Sequence, residues 1–119
     1  MYSVKVEGNF SSAHNLRGYK GDCEELHGHN WKVELTVEKE RLDKSGMVLD
    51  FRVLRNKLRE VLSGLDHRYL NDIPYFRKIN PTSENIAKYI FDKLKSLGVE
   101  LKSVVVWESE RSAASYYGK

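Results

Sequence analysis

The sequence predicts an α+β fold of order ββααββ, a four-stranded antiparallel sheet with two helices packed on one face. Three observations predict it. Apolar and polar residues alternate in two segments near the start and two near the end, the period of half-buried strands. Between them, two longer segments place apolar residues at the spacing of one helical face. Strands grouped as two hairpins, with the helices inserted between them, favour an antiparallel sheet covered on one side.

The first strand is read in "YSVKVEGNF", where Val4, Val6 and Phe10 share one parity and Gly8 reads as a bulge site. "WKVELTVE" alternates more cleanly. Trp31, Val33, Leu35 and Val37 face one way, with Lys32, Glu34, Thr36 and Glu38 opposite. "DFRVLRNKLREVLSGL" changes to the helical period. Its stripe is Phe51, Leu54, Leu58, Val61 and Leu62, with Asp50 as N-cap and Gly64 as stop. After a loop rich in Asn, Asp and Pro comes a second amphipathic helix, "PTSENIAKYIFDKLKSLG". There Ile86, Ile90, Leu94 and Leu97 point inward, Asn80 or Thr82 is the cap and Gly98 the end. "VELKSVVVWE" and "SAASYY" complete the set as two strands joined across "SERS". A four-stranded sheet leaves open edges, which implies pairing with other subunits.

Residues 1–119 are expected to form a single domain, with no repeat or linker dividing them. Twenty Lys and Arg against 17 Asp and Glu leave a net charge of +3, spread along the chain. That is too weak and too dispersed for a nucleic-acid interface, but it suits an anionic small molecule. One cysteine cannot form an internal disulfide, which favours a reducing compartment. "MYSVKVEGNF" lacks the apolar core of a secretion signal, and no apolar run reaches membrane-spanning length. The expectation is a cytoplasmic protein with no membrane partner.

One cysteine and two of the four histidines crowd into "CEELHGHNW", residues 23–31. His27 and His29 are two apart, so in extended chain both imidazoles project from one side. They share parity with Trp31, Val33, Leu35 and Val37, while His14 shares parity with Val4, Val6 and Phe10. If no bulge resets the count, the three imidazoles continue two buried faces past the ends of neighbouring strands. Hairpin pairing would bring them together as a site suited to Zn²⁺. Cys23, four residues before His27, fits two roles. As a fourth ligand it would close a structural site; just outside the ligand shell it would be an activated thiolate able to take a proton. Spacing leaves both open.

Asp66 and His67 are adjacent in "GLDHRYLND"; in a turn the carboxylate can orient the imidazole, whose ordinary pKa lies near neutrality. Glu108 ends the apolar run "VVVW" on the parity of Val104 and Val106. A carboxylate entering such a face requires a donor partner. Thr82 explains itself locally as a helix cap and Glu84 as a first-turn charge. Lys20, Arg17, Arg68 and Arg111 lie near these segments, and no spacing singles out one of them as an anion ligand.

"FSSAHNL", "CEELHGHNW", "GMVLDF", "LDHRYLND", "NPTSENIA" and "VVVWES" occur in an order that resembles the 6-pyruvoyltetrahydropterin synthase superfamily. The resemblance covers nearly the whole chain. Three residues between the cysteine and "HGH" look most like the branch of that family in queuosine biosynthesis. What the resemblance implies is a tunnelling fold whose subunits join in threes as a twelve-stranded β-barrel, two barrels stacking as a homohexamer. It further implies a zinc-dependent lyase acting on 7,8-dihydroneopterin triphosphate. The products would be 6-carboxy-5,6,7,8-tetrahydropterin, acetaldehyde and triphosphate, or in the parent branch a 6-pyruvoyl product. By the same resemblance His14, His27 and His29 are the metal ligands and Cys23 the general base. Asp66 and His67 join the cysteine in a proton relay, with parts of the site contributed by a neighbouring subunit. Glu108 anchors the pterin, and Thr82 and Ser83 lie in the turn that contacts it. A non-catalytic zinc-stabilised assembly module, with Cys23 as fourth ligand, is the competing reading from another class.

Overall fold

In the computed structural model, which describes residues 1–18 and 25–119, β1 (Tyr2–His14) and β2 (His27–Lys39) form a long antiparallel hairpin. Helices α1 (Phe51–Ser63) and α2 (Ser83–Ser96) follow, then β3 (Ser103–Trp107) and β4 (Ala113–Tyr117). The strands lie in the sheet in chain order, every neighbouring pair antiparallel. The predicted ββααββ architecture is therefore the observed one. Among the described residues no helix is long and apolar enough to cross a membrane.

Alternation dictates which face is covered. Val6 and Phe10 of β1, Trp31, Val33, Leu35 and Val37 of β2, and Val104 and Val106 of β3 are all buried. They meet Leu54, Leu58 and Leu62 from α1, and Ile86, Ala87, Ile90, Phe91 and Leu94 from α2. Sequestering this much aliphatic and aromatic surface is the main stabilising contribution. Phe51 departs from the predicted stripe: it is 49% exposed. Asp50 caps α1 as expected, accepting from the Arg52 N–H at 2.8 Å. Its hydrogen bond with the Arg52 side chain holds its carboxyl below the ordinary carboxylate range. For α2 the cap is Thr82, whose hydroxyl accepts from the Asn85 N–H at 3.1 Å. Gly98, just past the helix, adopts φ +87°, the left-handed geometry that lets a helix end at low cost.

The bulge expected at Gly8 is absent. The β1–β2 ladder runs without interruption from Tyr2↔Lys39 to His14↔His27, with Gly8 opposite Val33. Glycine is needed there for a different reason: a Cβ would lie 2.9 Å from Leu58 Cδ2 and 3.0 Å from Leu62 Cδ1. Helix α1 packs closely on β1 at this point. Gly8→Ala should lower stability by about 1 kcal/mol and Gly8→Val by about 2–3 kcal/mol, as overpacking does; urea unfolding of the two variants checks the order.

Three strands differ at one end from the sequence reading. β1 and β2 continue to the histidines, whereas β3 begins at Ser103 rather than Val99. The outer edge of β1 is handled in two ways. Near its C-terminal end, Ala13 N–H donates to the Arg68 carbonyl at 3.2 Å, and His67 N–H donates to the Ser11 carbonyl at 2.6 Å. The segment 66–69 thus seals the edge there. Between Ser3 and Asn9 no such partner occurs among the described residues.

Candidate active site

His14 and His27 face each other across the last rung of the hairpin, and His29 lies one side-chain repeat further along β2. Because no bulge resets the count, all three imidazoles stand on the helix-covered face, as parity predicted. Their ligand atoms lie within 4.8 Å of one another. Beneath them is Trp31, fully buried, with ring centroids 4.9 Å from His14 and 5.2 Å from His29. Its indole N–H donates to the Ser12 carbonyl at 3.2 Å. Ser12 is buried too, and its hydroxyl donates to the Leu65 carbonyl while accepting from Arg68 N–H at 3.3 Å.

Backbone carbonyls fix the tautomers. His14 Nδ1 donates to the Pro81 carbonyl at 2.7 Å, and His27 Nδ1 donates to the Glu25 carbonyl at 2.7 Å. A carbonyl only accepts, so each neutral ring keeps its lone pair on Nε2. Those two Nε2 atoms are 3.1 Å apart. His29 Nε2 is buried without a hydrogen-bond partner. Burial, against the opposing pull of the Pro81 hydrogen bond, lowers the pKa of His14; burial likewise lowers that of His29. Three imidazoles whose ring nitrogens converge within 4.8 Å of one another fit a metal ion.

Glu108 follows the last residue of β3 and points to the same face. Its carboxylate oxygens lie 3.5 Å from His14 Nε2 and 3.8 Å from His29 Nε2. Glu110 is exposed.

Asp66 and His67 form a separate unit at the outer edge of β1. Asp66 Oδ1 accepts from Ser11 N–H at 2.8 Å, and its Oδ2 accepts from His67 Nδ1 at 3.1 Å. The Ser11 N–H is the main reason the Asp66 carboxyl is held below its ordinary range, with His67 adding to it. His67 has φ +55°, uncommon for a residue with a side chain. The cost of order 1–2 kcal/mol for that geometry is offset by the paired bonds to Ser11 and Asp66. The carboxylate therefore orients the ring, leaving Nε2 free on a side chain that is 82% exposed. The pair is outside the histidine cluster of its own chain.

Cys23 and Lys20 lie outside the described residues. Thr82 is spent on capping α2, and Ser83 is the partly buried first residue of that helix. Of the candidate cations, Arg17 is committed elsewhere, its guanidinium donating to the carbonyls of Phe76 and, at 3.1 Å, Ile79. Arg68 and Arg111 are exposed.

Two residues escaped sequence reasoning. Asn71, buried, accepts from Asn15 N–H at 3.1 Å and donates to the Asn15 carbonyl at 2.9 Å. Asn80 does the same for Arg17, at 2.9 Å in both directions. Each amide imitates a strand partner and fixes the chain just beyond His14. An asparagine in a loop is an ordinary turn residue, so composition carried no signal for this.

The profile of the 6-pyruvoyl tetrahydropterin synthase family matches residues 3–119. A Synechocystis protein named 6-carboxy-5,6,7,8-tetrahydropterin synthase is 42% identical over 123 aligned residues, covering 98% of this chain and 94% of that protein. The human protein named 6-pyruvoyl tetrahydrobiopterin synthase is 35% identical, covering 93% of this chain and 88% of its own length. The solved structure of Caenorhabditis elegans 6-pyruvoyl tetrahydropterin synthase matches with a TM-score of 0.90 at 31% identity, covering 99% of this chain and 96% of that one.

Proposed function

The chain belongs to the 6-pyruvoyl tetrahydropterin synthase family, and from that premise we propose a zinc-dependent lyase of queuosine biosynthesis. Its reaction converts 7,8-dihydroneopterin triphosphate to 6-carboxy-5,6,7,8-tetrahydropterin, releasing acetaldehyde and triphosphate. The observation that carries the reading is the convergence of three imidazoles, two with Nδ1 bound to carbonyls. The similarity to the Synechocystis protein selects the branch.

His14, His27 and His29 would hold the ion, whose nitrogen-rich, three-ligand setting matches catalytic rather than closed structural zinc. When bound, Zn²⁺ supplies Lewis acidity to side-chain oxygens of the substrate. The remaining work falls to the protein. Glu108 accepts the pterin's 2-amino group and neighbouring ring N–H side by side. Cys23 removes the proton from the substrate side chain. His67, held by Asp66, moves a proton at Nε2, the ring nitrogen that Asp66 leaves free. Its exposure suits action on a neighbouring subunit's substrate, within a cytoplasmic homohexamer built as a dimer of trimers. Thr82 and Ser83 border the pterin through the turn that opens α2.

Incubation with the triphosphate substrate should release acetaldehyde and triphosphate in equal amounts. Triphosphate without acetaldehyde would move the protein to the 6-pyruvoyl branch. Cys23→Ala should keep about one equivalent of zinc while turnover falls by about 10²-fold or more, the range for a lost general base. Loss of zinc together with a collapse of thermal stability would instead favour the structural-module reading.

A further inference from the structure

From Asp66 to Asn71 the chain runs beside β1 in the same direction, bridged at Ala13↔Tyr69. Alternate residues of a strand turn their backbone groups to one edge, and here Ser11, Ala13 and Asn15 are bonded in succession. Ser11 N–H donates to Asp66 Oδ1 at 2.8 Å, and the Ser11 carbonyl accepts from His67 N–H at 2.6 Å. Ala13 N–H donates to the Arg68 carbonyl at 3.2 Å. Asn15 N–H donates to Asn71 Oδ1 at 3.1 Å, and the Asn15 carbonyl accepts from Asn71 Nδ2 at 2.9 Å. The segment is a surrogate strand. Backbone bonds hold its middle, and the side chains of Asp66 and Asn71 hold its two ends.

Asp66 secures the end that carries His67, and Asn71 secures the other. The Asn71 amide is buried, at 5% exposure, and spends a donor and an acceptor on the same residue. Leu70, fully buried, holds the segment against the core. Apolar packing is non-directional, however, and does not set position along a strand. Paired amide bonds do. Asn15 is held a third time, its side-chain carbonyl accepting from the Tyr69 hydroxyl.

We infer that Asn71 is a positioning residue for His67: it fixes the register of segment 66–71 on β1, and with it the point from which the imidazole reaches a substrate. The inference rests on the reading in which His67 moves a proton during turnover. Without the Asn71 amide, the Asn15 N–H and carbonyl lose their partners. The segment then keeps its bonds to Ser11, Ser12 and Ala13 alone, so His67 is secured from one side. A group that transfers a proton must lie within hydrogen-bond reach of its target, and a small slip of the segment slows turnover. The histidine cluster is spared, since His14 pairs with His27 across the hairpin and its ring is tied to Pro81.

The test uses full-length, zinc-loaded protein. It reads steady-state turnover of 7,8-dihydroneopterin triphosphate together with hydrogen exchange at the His67 amide. Asn71→Ala should lower kcat by about 10²-fold, the effect of misplacing a reacting group by about 1 Å, while KM and bound zinc stay unchanged. Exchange at the His67 N–H should quicken by about tenfold or more as the segment opens locally. Asn71→Asp keeps the acceptor for Asn15 N–H and loses the donor, so it should fall in between in both readouts. It takes the place of Asn71→Ala throughout if that variant does not fold. His67→Asn tolerates the left-handed backbone at that position. Added to His67→Asn, Asn71→Ala should lower kcat by no more than about twofold further, because both changes remove one function. Losses that multiply, or unaltered exchange at His67, would overturn the inference. A raised KM with unchanged kcat would do the same. Normal turnover by His67→Asn would remove the proton-moving reading instead, and faster exchange in Asn71→Ala would still support the placement of His67 by Asn71.

Discussion

Replacing His14 with alanine should weaken zinc binding by more than about 100-fold and abolish turnover. Even residues that only orient a metal ligand contribute factors of about 10–100, and His14 is a candidate ligand that is also 1% exposed and fixed to Pro81. Equilibrium dialysis against zinc buffers gives the affinity directly. The same ring gives the metal-free protein a pH signature. Folding lowers the pKa of His14 and His29 below the ordinary value of 6.5, chiefly by burial. Below that value the unfolded chain binds protons that the folded chain resists. Their contribution to stability is therefore complete above about pH 6.5 and is lost as pH falls through the lowered values. The urea midpoint of metal-free protein should rise from about pH 5 to about pH 7 and then level off. His14→Ala should flatten that rise. An equally steep rise in the variant would show that other groups produce it.

Trp31→Ala should be the most destabilising single change in the sheet, costing about 3–5 kcal/mol as large aromatic truncations do. Trp31 is fully buried, stacks on Phe10 at 5.8 Å, and presents its faces and edges to His14 and His29. Truncation also strips the Ser12 carbonyl of its indole donor, and an unpartnered buried acceptor is costly. Because Trp31 is the floor on which two metal ligands rest, zinc affinity should fall with stability, by about 10–100-fold. Denaturant unfolding of metal-free protein and zinc titration measure the two effects independently. Trp31→Phe should fall between wild type and Trp31→Ala in both. A stability loss below about 1 kcal/mol would mean that the neighbouring core collapses into the space, contrary to the packing described.

Period-two alternation in "WKVELTVE" made β2 legible, and parity carried His27 and His29 onto its buried face. His14 was legible for the same reason, but only because β1 and β2 pair without a bulge over their full length. The sequence is silent about that condition. Gly8 shows why: in a strand pattern an isolated glycine reads as a bulge, and only the position of Leu58 and Leu62 reveals a contact between layers. Phe51 fitted a helical stripe by spacing, yet its side chain is half exposed, since periodicity does not show how far along a helix its neighbours reach. Glu108 was placed on the correct face by parity. Its approach to the histidines depends on the register Val33↔Val106 between β2 and β3, which local pattern does not specify. Asn71 and Asn80 were the least legible, since their partners lie more than fifty residues away and the bonds replace what a strand would have supplied.

The seam where residues 66–69 close over the end of β1 limits what can attach to that strand. A second copy annealing along Ser3–Asn9 would meet a physical stop at Ser11 and could slide no further. That stop would be made by the same residues that aim His67, so a strand that docked there would be gauged against the point from which the imidazole is placed.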